Sequence, residues 1–160
     1  MPENIRQHSL AVEKVAVFLA GKMRQNGIAV DVSIVSAGAL LHDIGKMLSF
    51  KQGREENLVS KELLEKEGLR AIALIAERHM LSKILEGDFH EWAVEEKIVY
   101  YADKRVKHSS IVGVNERVSD LIERYSGSAG IIKDCLPMVL LLEKELLAMA
   151  GTDSSLEGMV

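Results

Sequence analysis

His8, His42, Asp43 and Asp103 are polar residues set into helical stripes that otherwise read as buried. His8 falls on the stripe of Ile5, Val12 and Val15. Asp103 sits four residues after Val99 and three before Val106, which is one helical face. The pair His42-Asp43 closes the apolar run 37–41 and is followed by Ile44. An ionised carboxylate among aliphatic side chains is strongly unfavourable unless a cation or several donors compensate it. Taken singly, each has an ordinary explanation: His8 as a hydrogen-bonded core or rim histidine, Asp103 as an ion-pair partner of Lys104 or Arg105. Taken together, two imidazoles and two carboxylates on three helices are the donor set for a divalent ion. Nitrogen and oxygen donors of this kind suit manganese, iron, cobalt, nickel or zinc, with magnesium as a further option. The adjacent His42 and Asp43 can meet one ion near a helix end, while His8 and Asp103 must reach it from facing helices. The gaps of 34 and 60 residues between these groups do not by themselves establish that they meet.

Helices must do the positioning. Apolar residues recur at helical rather than alternating spacing, and seven aromatics and two prolines leave few strand formers besides valine and isoleucine. A first helix spans residues 5–25 and stops at Asn26-Gly27. A second, capped by Asp31 or Ser33, carries Ile34, Val35, Gly38, Leu41 and His42. Residues 46–54 read as a loop. A charged helix ending at Gly68, a short apolar one from Leu69 to about His79, and a fifth over 92–106 follow. The sixth covers about 112–125, and 126–130 reads as a flexible connection. Asp134 is expected to cap the last helix, with Pro137 in its first turn, and Gly151 ends it. The expectation is an all-α, single-domain bundle of about seven helices over 1–151: a ligand core at about 5–110, C-terminal helices at 112–150, and a frayed tail at 152–160.

Composition narrows the class of partner. The 160 residues are 48% apolar and 28% charged, as in an ordinary globular domain. A net charge of −4 argues against duplex nucleic acid, yet leaves room for a small anion held by local cations such as the patch Lys104, Arg105 and Lys107. One cysteine, Cys135, cannot form an internal disulfide, and the first residues lack a signal-peptide pattern, so a cytoplasmic location is expected. No apolar run approaches the ~20 residues of a membrane span. The nearly all-round apolar character of 135–150 allows a homodimer through the last helix. The dispersed methionines, the charged cluster from Glu55 to Glu67, the pair Tyr100-Tyr101, and His90 and His108 all have bland explanations in packing or solvation.

The run Leu40-Leu41-His42-Asp43-Ile44-Gly45-Lys46 resembles the signature of the HD superfamily of metal-dependent phosphohydrolases in its HDIG form. The order of an early His8-Ser9, the His42-Asp43 pair and a late Ala102-Asp103 is similar too. The likeness extends over about 5–110, with Glu116-Arg117 a continuation. It implies a helical fold and a divalent metal on His8, His42, Asp43 and Asp103. Some relatives hold a second metal through two further histidines. Here His79 falls at the second of those places, and Glu56 is the only substitute near the first, so one ion is expected and His79 is left as a substrate or supporting group. The implied chemistry is attack of an activated water on a small phosphate ester, a nucleotide being the expected substrate. Asp43 would position or deprotonate the water, and Lys46, or else Arg105, would contact phosphate. Gly45 would let the chain turn sharply after the ligands. The competing expectation is a metal-retaining nucleotide-binding or regulatory protein with little turnover.

Overall fold

The computed structural model describes residues 1–159. Among them are eight α-helices: α1 Glu3–Gln25, α2 Val32–Leu41, α3 Lys46–Gln52, α4 Glu56–Lys66, α5 Arg70–Arg78, α6 Val94–Asp103, α7 Val114–Arg124 and α8 Ala129–Ala150. A short antiparallel hairpin, β1 Val106–Lys107 and β2 Ser110–Ile111, joins α6 to α7. The all-α expectation holds.

α1 buries Val12, Val15, Ala16, Leu19 and Met23 along one face. The Asp31 side chain accepts hydrogen bonds from the Ser33 and Ile34 amides and so starts α2. α6 is the axle of the bundle. It packs against α1, α2, α5 and α8, and every residue from Glu96 to Asp103 is buried. A helix surrounded on all sides cannot send its last carboxylate into water, so Asp103 needs partners inside the protein.

The structure corrects several boundaries. Residues 46–52 form α3 rather than a loop; only Ser49 is buried there, so the segment carries no core-facing stripe to announce it. The fifth helix ends at Asp103, and the chain then turns into the hairpin. The last helix begins at Ala129, so Asp134 is not its cap and Pro137 lies inside it. An interior proline costs about 3 kcal/mol, and burial of Ile132 and Cys135 in line with Val139, Leu142 and Leu146 offsets that. The expected flexible connection is instead a 3-10 turn, Ser126–Ser128. The tail expected to fray turns back onto the bundle up to Met159, burying Leu156 in the core and offering the Ser154 carbonyl to Arg105. Among the described residues no helix is long and apolar enough to cross a membrane.

Candidate metal centre

His42 and His79 occupy equivalent places. Each is the residue that closes a helix, α2 and α5 respectively. The last carbonyls of a helix have no partner within it. The Nδ1–H of His42 donates to the Ala39 carbonyl at 2.7 Å, and that of His79 to the Ala76 carbonyl at 2.6 Å. His8, in the second turn of α1, donates its Nδ1–H to the His108 carbonyl at 2.8 Å, across the hairpin turn. A carbonyl only accepts, so all three bonds place the ring proton on Nδ1 and leave the Nε2 lone pair facing inward.

Those lone pairs meet carboxylates. His8 Nε2 lies 3.0 Å from Asp103 Oδ1, and His42 Nε2 lies 3.9 Å from the same oxygen and 3.6 Å from Asp43 Oδ1. His79 Nε2 is 3.2 Å from Asp43 Oδ1 and 4.0 Å from Glu56 Oε1. The ligand atoms of His8, His42 and Asp43 all lie within 4.8 Å of one another, as do those of Asp43, Glu56 and His79. Lone pairs facing lone pairs repel unless a positive charge stands between them. For His8 a proton can serve: burial opposes it, but the hydrogen bond and charge of Asp103 and the charge of Asp43 outweigh burial and raise its pKa. For His42 it cannot. Complete burial pushes that imidazole down to about 4, and its Nε2 is buried without any hydrogen-bond partner.

The carboxylates are held by cations. Lys46 Nζ donates to Asp43 Oδ2 at 2.8 Å and stands 3.7 Å from Glu56. Lys104 is fully buried and donates to Asp103 Oδ2 at 2.5 Å and to the His79 carbonyl at 2.6 Å. Burial opposes ionising Asp103, yet the Lys104 charge and the His8 hydrogen bond hold its pKa well below the usual carboxylate range. Burial and the neighbouring Asp43 push Glu56 up to about 9. Gly45, after the pair, has an ordinary φ of −83°. Its need is space, not conformational freedom: a Cβ there would stand 2.6 Å from the Ser60 backbone nitrogen.

Other candidates lie elsewhere. Arg105 is buried on the far side of its turn, donating to the Tyr101 hydroxyl and the carbonyls of Val112 and Ser154, so it does not reach the centre. With Lys104 and Arg105 both buried, the expected basic patch does not exist. Tyr100 and Tyr101 are core residues whose hydroxyls bond the Leu81 carbonyl and Glu143. Arg78 pairs with Glu96 and lies over Trp92, and His90 meets Glu145. The sequence reading missed Arg117 as a wall of the centre's cleft, and it took Lys104 as an ion-pair partner or a member of a basic patch, not as a buried cation. The sole signals were that Lys104 adjoins Asp103 and that Glu116-Arg117 continues the motif.

The profile of the HD domain family matches residues 5–108, spanning all four residues of the expected ligand set. The chain belongs to the HD domain family. That family is one of metal-dependent hydrolases. The HD chain is 33% identical to an uncharacterized protein of Methanocaldococcus jannaschii, over 90% of its own length and 88% of the relative's. It is also 29% identical to a tRNA (cytidine(56)-2'-O)-methyltransferase of Picrophilus torridus, over 93% of the chain but 43% of that protein. A protein of the same name from Thermoplasma volcanium is 30% identical over 66% of the chain and 34% of its own length. The HD chain thus spans less than half of each methyltransferase relative. No solved structure matches it at a significant level. The residues fit a divalent ion: imidazole and carboxylate donors converge, and the buried Nε2 of His42 has no hydrogen-bond partner among the described residues.

Proposed function

We propose that this HD protein is a metal-dependent phosphohydrolase that cleaves a small phosphomonoester, a nucleotide, at one divalent ion held by His8, His42, Asp43 and Asp103. The observation that supports it most is His42: a neutral, fully buried imidazole with its tautomer fixed by Ala39 and its Nε2 lone pair without a partner. When bound, the ion would polarise a phosphoryl oxygen and make water acidic enough to be a nucleophile near neutral pH. Burial opposes ionising Asp43, but His42 and His79, with Glu56, hold its pKa well below the usual range. So weak a base orients the attacking water better than it deprotonates it. Lys46 is half exposed beside Asp43 and can lean from it onto an incoming phosphate. His79 stands beside Asp43 on the other side, and with Glu56 it makes a second group of ligand atoms, all within 4.8 Å of one another, that could take a further ion.

A second reading draws on the methyltransferase relatives. Proteins named for tRNA modification contain a segment like this chain, which favours a phosphate ester carried on RNA or released from it.

Elemental analysis of protein purified without added metal should find about one transition-metal ion per chain, lost in Asp43→Ala and His42→Ala. The metal-loaded protein should turn over in a panel of nucleoside 2'-, 3'- and 5'-monophosphates, cyclic nucleotides and short RNAs with a terminal phosphate. Activity confined to the RNAs would select the second reading. Bound metal without turnover anywhere would overturn both and leave a binding protein.

A further inference from the structure

The centre opens into a cleft of about 390 Å³ whose far part is apolar, within the ~300–1,000 Å³ range of small-ligand pockets. One end is His8, Asp43, Lys46 and Asp103; the other is walled by Met80, Leu81, Leu121, Tyr125, Ile131 and Ile132. Tyr125 and Ile131 stay 56% exposed despite their size, which is apolar surface left open beside a charged site. Arg117, in the first turn of α7, borders this cleft and also the polar groove of about 460 Å³ that reaches the same centre past Gln7, Ser109 and Arg124.

Arg117 is only 9% exposed, and its Nε–H is buried with no hydrogen-bond partner. Its Nη1 donates to Asp120 Oδ2 at 3.0 Å, an oxygen that Arg124 Nη2 also reaches at 2.5 Å. Lys107 stands 4.0 Å from the same carboxylate, so Asp120 serves three cations and cannot neutralise them all. A buried guanidinium with a spare donor is costly unless something accepts from it. Asp120 needs Arg117 least, because Arg124 remains to pair with it.

We propose that Arg117 is a substrate-binding residue, its guanidinium gripping the phosphoryl group opposite Lys46 while the apolar arm takes an aromatic or otherwise apolar leaving group. This rests on the phosphohydrolase reading and narrows it: the substrate is a phosphomonoester whose alcohol carries a flat or hydrocarbon face, in preference to a sugar phosphate or glycerol phosphate. A planar guanidinium matches two phosphoryl oxygens at once, which an ammonium cannot do. Leu121 lies one turn beyond Arg117 on α7 and Tyr125 closes that helix, so one element presents both the anion grip and part of the apolar wall.

Phenylphosphonate and methylphosphonate, which cannot be hydrolysed, test this by calorimetry on the metal-loaded protein. Phenylphosphonate should bind at least about tenfold more tightly than its methyl counterpart, and Ile131→Asp should erase most of that difference. Arg117→Gln should weaken both ligands by about 10–100-fold, with bound metal and melting temperature unchanged, and Arg117→Lys should restore part of the loss. Equal affinities for the two phosphonates would overturn the apolar arm. Unchanged phosphonate affinity in both Arg117 variants would overturn the grip, even if the panel above shows turnover. Absence of turnover with these binding effects intact would instead sink the phosphohydrolase reading and leave the site assignment standing.

Discussion

Each imidazole of the centre is fixed through Nδ1, so what remains variable is the charge on Nε2. In the metal-free protein, the raised pKa of His8 lets it take a proton before His42 as pH falls, bridging itself to Asp103. His42 stays neutral until about pH 4. A metal ion must displace the His8 proton, because one lone pair cannot serve both. The affinity for metal should therefore rise with pH, with a slope approaching tenfold per unit below the His8 pKa. Calorimetry in buffers of different ionisation heat should count more protons released per ion near pH 6 than near pH 8.5, because the His8 share drops out while the proton on Glu56 remains to be displaced. A release that does not vary with pH would remove His8 from the ligand set. His42 acts in the opposite sense on folding. Its folded value of about 4 lies below the ordinary 6.5, so the unfolded chain binds that proton more readily. Its share of metal-free stability is present above pH 6.5 and is lost as pH falls through 4, on the order of 3 kcal/mol in all.

Helix ends and turns deliver these groups, and they were legible to different degrees. The ends of α2 and α5 were readable, since an apolar run stopping at His42 or at His79 is visible in one dimension. The hairpin after Asp103 was not, because its turn has no glycine: His108 takes the left-handed conformation at φ 56°. That turn matters because the His108 carbonyl, not its ring, holds His8. His108→Gly should keep bound metal unchanged and raise stability by about 0.5 kcal/mol, the left-handed strain relieved less the added backbone entropy; thermal melts and metal content check it. α3 was hidden for another reason: Met47, Leu48 and Phe50 point outward, so apolar spacing there signals no core. Arg117 and Lys104 were beyond reach because a sequence does not say which charges end up buried. Gly45 was singled out, but for turning. Its packing against α4 predicts that Gly45→Ala costs about 1–3 kcal/mol and loosens metal binding by shifting Glu56 and Asp43. Adding Ser60→Ala should not rescue it, since the backbone nitrogen at 2.6 Å remains. A full rescue in the double variant would assign the clash to the hydroxyl instead.

At the scale of the whole molecule, the centre ties together chain segments that otherwise meet through apolar packing and a few peripheral polar contacts such as Arg78–Glu96 and Lys61–Glu77. His8 comes from α1, His42 and Asp43 from the end of α2, Asp103 from the end of α6, with His79 and Glu56 from α5 and α4 around them. Without a cation, their carboxylates are an internal repulsion that Lys46 and Lys104 only partly relieve. Glu56 shows the sign of the consequence. Its folded value of about 9 exceeds the ordinary 4.5, so the folded metal-free protein binds that proton more tightly than the unfolded chain. The contribution of this group is whole below pH 4.5 and is lost as pH rises toward 9. Metal has the reverse dependence, since the ion competes with protons for its ligands. The melting temperature of the loaded protein should therefore exceed that of chelator-stripped protein by an amount that grows steadily from pH 6 to 8.5. Glu56→Gln removes the titrating group and should flatten the pH dependence of the stripped protein across that window while leaving the loaded protein nearly as stable. A gap between loaded and stripped forms that stays constant over the window would mean the ion does not bind among these side chains. If the gap grows but Glu56→Gln leaves the stripped curve unchanged, some other carboxylate in the centre, with Asp43 the nearest, holds the proton.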